Sequence, residues 1–273
     1  AKKLIDVASK SGADAIKFQT FKVKELLTKN AKSMEHQIRS NKKISQYEML
    51  SKLELNEKQH LVLQSYCKKK NIIFFSTAFD NKSLLLLKKI KIPIFKIPSS
   101  EINNIPYLTL LGKFNKPIIL STGMSYEKEI KSAIKILIKN GTNKKNIVLL
   151  HCTSQYPSKY EDLNLNVIKT LKKNFKCTVG YSDHSNGFLA PLASVALGSK
   201  VIEKHFTLSR KMVGPDHLSS LEPKELSDVI GLIRNLELSL GSYKKKPTKS
   251  ELENRRLARK SIVANKKIKK GEK

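Results

Sequence analysis

The sequence predicts an α/β fold: a (β/α)8 barrel lacking its first strand, followed by the start of a small second domain. Three observations carry this. Seven short apolar runs alternate with amphipathic helical segments, as parallel strands joined by crossover helices do. The chain opens on a helix with no strand before it, so an eighth strand is expected to have preceded that helix. No glycine-rich phosphate loop follows any strand, which argues against an open doubly wound sheet.

The opening helix places Ala1, Leu4, Ile5 and Ala8 on one face and closes at Gly12. Strands are expected near Ala15–Gln19, Ile72–Ser76, Ile94–Ile97, Pro117–Ser121, Ile147–His151, Thr178–Ser182 and Val201–His205. The clearest helix starts from Ser125 as N-cap, carries Glu127 and Glu129 in its first turn, and ends at Gly141. Its apolar stripe is Ile130, Ala133, Ile134, Leu137 and Ile138. Further helices fit Glu57–Lys69, Lys82–Lys89, Leu163–Lys172, Gly187–Leu197 and Pro223–Leu240. These elements define a barrel domain over 1–240, a lysine-rich linker with Pro247 over 241–259, and a truncated domain over 260–273 that opens with a strand at Lys260–Ala264.

A chain of 273 residues can bury a large core, and 40% hydrophobic with 28% charged residues excludes a disordered protein. No apolar run approaches the roughly 18 residues of a membrane span, and no secretory signal opens the chain, so no membrane partner and a cytoplasmic location are expected. The net charge of +30 comes from 47 Lys and only six Arg, spread through every helix beside many Ile and Asn. A base-reading surface favours the two-pronged Arg, so no nucleic-acid partner is expected. Three Cys at 67, 152 and 177 have no metal-ligand spacing and suggest no disulfide framework.

In a barrel, chemistry collects at the C-terminal ends of the strands. Here those ends read KFQT (17–20), STAF (76–79), KIPSSE (96–101), STGMS (121–125), HCTSQYP (151–157), YSDH (181–184) and EKHF (203–206). Every one turns polar or ionisable where its apolar run stops. Alternation along a strand puts Lys17 and Gln19 on the axial face, and likewise pairs Glu203 with His205 and Ser182 with His184. Lys17 and Lys96 therefore converge with Thr77, Ser99, Ser121 and Ser182, making a pocket for a small polyanion. His184 and His205 end neighbouring strands and can share one divalent metal, with Asp183, Glu203 and Asp216 near them in sequence. Glu101, Glu203 and Asp216 are candidate acid/base or hydroxyl-binding groups. Cys152 is expected to pack, and His36 and His60 to lie at the surface.

Taken together, KFQT, STAF, KIPSSE, LSTGM, LHCTSQYP, GYSDHS, EKHFT and GPDH followed by SSLEP resemble the N-acetylneuraminate (sialic acid) synthase family, legionaminate synthases included. The resemblance runs the whole length, with the tail from about Lys260 similar to the start of that family's antifreeze-like (SAF) domain. It implies metal-dependent condensation of phosphoenolpyruvate with an N-acetylated hexosamine, N-acetylmannosamine or a 2,4-diacetamido-6-deoxy analogue, to a nine-carbon 2-keto acid and phosphate. Phosphoenolpyruvate-binding positions match Lys17, Thr77, Lys96, Ser99, Ser121 and Ser182, with Ser154 standing where some members have Asn. His184 and His205 match the ligands of a divalent ion, Mn2+ or Mg2+. Gln19, Tyr156, Glu203 and Asp216 match positions around the sugar, and Glu101 matches a carboxylate beside the reacting carbons. Lys17 and Lys96 thus join Glu101 as the catalytic set. The family's first-strand Glu and Asn-His pair have no counterpart here, so little activity is expected of this polypeptide alone. A longer chain is expected to form a homodimer through a swapped SAF domain. A Schiff-base aldolase using Lys96 or Lys17, and a basic nucleic-acid-binding protein, are the competing readings.

Overall fold

A computed structural model describes residues 1–28 and 45–272; His36 lies outside the described residues. The chain forms two compact units, Ala1–Ser239 and Leu240–Lys273. In the first, α1 (Lys2–Lys10) leads into β1 (Ala15–Thr20), and α2 (Val23–Leu26), α3 (Gln46–Ser51) and α4 (Glu57–Lys69) precede β2 (Ile73–Ala78). The alternation continues through α5 (Asn81–Lys89), β3 (Phe95–Ile97), α6 (Ile105–Gly112), β4 (Ile118–Ser121), α7 (Glu127–Lys139) and β5 (Ile147–Cys152). It ends with α8 (Val167–Phe175), β6 (Thr178–Asp183), α9 (Leu189–Ala196), β7 (Ile202–Lys204) and α10 (Pro223–Leu240).

The strands form one parallel sheet in the order β1 to β7. At about 4.8 Å per strand, a flat sheet would hold its two edges roughly 29 Å apart. Instead Lys17 on β1 reaches Glu203 on β7 at 3.5 Å. The sheet therefore curls until its edges face each other, with one face outside and one inside. Outside, Ile97, Leu120 and Leu149 on the strands pack with Ile5, Leu108, Leu137 and Ile168 from the helices. Inside, Phe75, Ile119 and Leu150 form a plug with Ala15, Ile94, Val148 and Val201. Two residues further along their strands stand Thr77, Ser121 and Cys152 on the same face. The interior is apolar at its floor and polar toward the strand C-termini. Gly180 permits this closure: a Cβ there would lie 2.3 Å from the Val201 carbonyl and 2.7 Å from Leu150 Cδ2.

The expected strands are present to within a few residues. Among the described residues of the first unit, three helices are additional: α2, α3 and α6, the last capped by the Asn104 side chain accepting from the Tyr107 N–H at 3.2 Å. Helix α7 starts later than expected, because Ser125 turns its hydroxyl to the Gly123 carbonyl while Glu129 accepts from the Tyr126 N–H at 2.7 Å. Its stripe stops at Leu137, and Ile138 is exposed. Helix α8 begins at Val167, not Leu163, since Asn164 adopts a left-handed φ of 45° that a helix cannot include. His60 is fully buried, contrary to expectation. It bridges α4 to β1: Nδ1 donates to the Asn56 carbonyl at 2.8 Å, leaving Nε2 to accept from Thr20 Oγ1 at 2.7 Å. In the second unit a helix, α11 (Lys249–Ala258), occupies the segment read as linker. Residues 260–264 are not a strand; no neighbouring strand among the described residues offers them a ladder.

Candidate active site

The polar layer of the interior is built by strand register. Cys152 pairs with Ser182, and Ser182 with Glu203, so three neighbouring strands present their axial side chains at one level. Thr77 pairs with Lys96 in the same way. Lys17 Nζ donates to Thr77 Oγ1 at 3.0 Å, and Lys96 Nζ donates to Ser121 Oγ at 2.6 Å and to the Ile97 carbonyl at 3.1 Å. Both ammonium groups face the Glu203 carboxylate, at 3.5 Å from Lys17 and 3.8 Å from Lys96, and Ser182 Oγ donates to it at 2.9 Å.

The electrostatics follow from that geometry. Lys96 is only 3% exposed, and burial, partly offset by Glu203, lowers its pKa from the ordinary lysine value. For Glu203 burial is the largest influence and would raise the carboxyl. Lys17, Lys96 and the Ser182 hydroxyl together outweigh it and hold Glu203 at about 2. The layer is a pair of cations sharing one carboxylate.

A second group lies beside it. Ser99, in the turn Ser99–Glu101 that follows β3, accepts the Gly123 N–H at 3.0 Å and lies 3.5 Å from Cys152 Sγ. A Cβ on Gly123 would stand 2.3 Å from Ser154 Oγ, 3.0 Å from Ser99 Oγ and 3.1 Å from Cys152 Sγ. Glycine at 123 leaves room for these three side chains to stand close around it. Cys152 is thus part of the inner wall as well as packing.

A third group is aromatic. The His184 and His205 ring centres lie 5.8 Å apart, with Tyr156 4.2 Å from the first and 5.9 Å from the second. His184 Nδ1 donates to the Thr153 carbonyl at 2.7 Å; that oxygen can only accept, so Nε2 keeps its lone pair. Burial pushes His184 down to about 4 and lowers His205 as well, so both imidazoles are neutral donors at neutral pH. The Asp216 charge opposes the shift at His205; at Tyr156 burial, with Asp216 adding to it, raises the phenol above its ordinary value. Two neutral imidazoles, one with its free nitrogen fixed by a backbone carbonyl, are a fitting donor set for a divalent ion with open positions. No group of three or more His, Cys, Asp or Glu that could hold a metal occurs among the described residues.

Not every strand-end residue joins these groups. Asp183 lies on the opposite face of β6, fully buried, where Lys204 pairs with it and Tyr181 and Ser185 donate to it. Glu101 is held by Asn104 Nδ2 at 2.6 Å. Gln19 is exposed at the end of β1, in register with Thr77. Gly123 and the Thr153 carbonyl escaped sequence reasoning. The first was visible within STGM as a glycine between two polar strand ends; the second, a main-chain group, leaves no signal.

A family model described as the NeuB family matches residues 4–245. The chain is 50% identical over 273 residues to the N,N'-diacetyllegionaminic acid synthase of Campylobacter jejuni subsp. jejuni serotype O:2, covering 100% of this chain and 82% of that one. It is 43% identical to the enzyme of the same name from Legionella pneumophila, covering 99% of this chain and 77% of the other. Among solved structures, the N-acetylneuraminic acid (sialic acid) synthetase of Leptospira borgpetersenii serovar Hardjo-bovis, in complex with citrate, matches with a TM-score of 0.82. That match has 37% identity and covers 95% of this chain and 87% of the other. With the family model spanning most of the chain and half its residues shared with one such synthase, the chain belongs to the NeuB family of sialic acid synthases.

Proposed function

We propose that this chain condenses phosphoenolpyruvate with an N-acetylated hexosamine, and that the sugar is a 2,4-diacetamido-6-deoxy hexose yielding a legionaminic acid. The observation that carries the reaction is the polar layer: Lys17 and Lys96 side by side, ringed by Thr77, Ser121 and Ser182 and adjoining the His184–His205 pair. The choice of sugar rests on the greater identity to the two diacetyllegionaminic acid synthases than to the Leptospira sialic acid synthetase.

In this reading Lys17 and Lys96 hold the carboxylate and phosphate of phosphoenolpyruvate, with hydroxyls from Thr77, Ser99, Ser121, Ser154 and Ser182 completing the seat. That fixes the nucleophilic methylene carbon against the sugar aldehyde, and positioning alone removes several kcal/mol of barrier, on the order of 7 in well-oriented systems. His184 and His205 would hold a divalent ion, which supplies Lewis-acid polarisation of the aldehyde oxygen. Imidazole donors suit Mn2+ better than the oxygen-seeking Mg2+. As the carbon–carbon bond forms, positive charge appears at the carbon bearing phosphate; water adds there and phosphate departs. The resemblance assigns Glu101, in the turn after β3, to taking that water's proton, while Lys17 and Lys96 offset the charge of the leaving phosphate. Gln19, Tyr156 and Asp216 orient the sugar.

The full protein is proposed to carry an eighth strand between the facing edges of β1 and β7, and to act as a homodimer with a swapped antifreeze-like domain. The curl that brings Lys17 to Glu203 supports the first, and the resemblance of the tail supports the second.

One observation favours imine chemistry: burial lowers Lys96. Against it, Lys96 donates to Ser121 and Ile97 and faces the Glu203 carboxylate, an anionic partner that favours the protonated, non-nucleophilic ammonium over a free amine. The test is phosphate release from phosphoenolpyruvate by the intact protein with N-acetylmannosamine, with the 2,4-diacetamido-6-deoxy hexose, or with neither, each with and without EDTA. Release that requires the diacetamido sugar and stops with EDTA is expected. Release with N-acetylmannosamine alone would overturn the sugar, and borohydride trapping of a Lys96 adduct would overturn the reaction.

A further inference from the structure

We propose that Glu203 is a built-in competitor for phosphoenolpyruvate: it occupies the anion seat between Lys17 and Lys96 and must leave when substrate binds. The inference rests on the proposed placement of phosphoenolpyruvate at those two lysines. Its carboxylate takes both ammonium groups and the Ser182 hydroxyl at once, three of the groups assigned to the substrate. Among the described residues it is the only carboxylate within 4 Å of either lysine.

The charge balance makes coexistence costly. Two cations and one carboxylate leave a single net positive charge in a largely buried layer. Phosphoenolpyruvate brings a carboxylate and a phosphate, so with Glu203 in place the layer would hold at least two negative charges to each positive one of that remaining excess. Like charges a few ångströms apart away from bulk water repel strongly. Glu203 has the freedom to yield, since its side chain turns about three bonds from a strand whose next axial residue is His205. A carboxylate expelled from the lysines moves toward the His184–His205–Tyr156 side, where the sugar is proposed to bind. Arrival of phosphoenolpyruvate therefore delivers Glu203 to the second substrate, and the sugar should bind well only after it.

The test uses the intact protein without metal, in EDTA, with calorimetric titration of phosphoenolpyruvate and of inorganic phosphate. Glu203→Gln keeps the size and removes the competing charge; it is expected to bind phosphoenolpyruvate about tenfold tighter than wild type. Loss of a nearby negative charge alone would also tighten binding, so a second variant separates the two. Glu203→Ala opens the seat itself, and it keeps the test readable should the Gln variant not fold. Added formate should then compete with phosphoenolpyruvate in Glu203→Ala, raising its apparent Kd in proportion to formate, and have no such effect in wild type, whose seat is filled intramolecularly. Unchanged or weaker binding by Glu203→Gln, or formate that leaves Glu203→Ala unaffected, overturns the proposal. Wild type that binds neither phosphoenolpyruvate nor phosphate overturns the placement of the substrate itself, and the competitor with it.

Discussion

At the scale of single residues the site turns on Lys96. It is buried, and its amine is spoken for by Ser121, Ile97 and Glu203, so its position is fixed before any substrate arrives. Such preorganisation is what makes a buried ammonium effective toward an anion, because no reorientation is needed on binding. Replacing Lys96 by Met keeps most of the volume and removes the charge. A charge-assisted contact is worth roughly 1.5–3 kcal/mol, so phosphoenolpyruvate should bind about 100-fold more weakly to Lys96→Met. The fold should survive, since Lys17 still pairs with Glu203. Calorimetry and thermal unfolding measured together check this; a lost thermal transition, or binding within threefold of wild type, would refute it.

At the scale of elements, the strands were legible and several helices were not. Each strand is an apolar run ending in polar residues, and alternation within it assigned Lys17, Glu203, Ser182 and His205 to the inside without reference to any partner. Helix α6 escaped because its sequence, IPYLTLLG, buries Tyr107, Leu108 and Leu111 with almost no polar face to reveal a period. His60 was misplaced for the opposite reason. A histidine in a mixed helix looks exposed, and the hydroxyls that satisfy it lie forty and sixteen positions away in the chain, Thr20 bonding it and Ser76 bonding Thr20 at 2.7 Å. Burial disfavours the charged ring and, outweighing the bond to the Asn56 carbonyl, lowers the His60 pKa in the folded state, so the unfolded chain takes up the proton first as pH falls. The contribution to stability is present above the free-histidine value of about 6.5 and is lost progressively below it. His60→Gln, which cannot titrate, should flatten the fall in stability between pH 7 and pH 5 relative to wild type. Urea unfolding of both proteins at several pH values reads this directly, and parallel curves would show that His60 carries none of the acid sensitivity.

For the whole molecule the dominant quantity is the net charge of +30. It is what remains of 53 basic side chains after 23 acidic ones are offset, some of them in local pairs such as Lys82 with Glu25, Lys89 with Glu57 and Arg234 with Asp14. An unbalanced excess of that size sets up a field reaching a Debye length into solution, about 10 Å at 0.1 M salt. The proposed substrates respond to that field differently: phosphoenolpyruvate is a polyanion, whereas an N-acetylated hexosamine is neutral. The field should therefore raise the encounter rate of one and leave the other unaffected. Raising NaCl from about 50 mM to about 500 mM should increase KM for phosphoenolpyruvate severalfold while KM for the sugar and kcat stay nearly constant. A change in the sugar's KM of the same size would instead mean that salt acts on the protein's conformation. The same experiment distinguishes the two levels at which positive charge operates here. The scattered lysines are screened by salt, whereas Lys96, enclosed between Ser121 and Glu203, is not, so affinity should level off at high salt and not vanish.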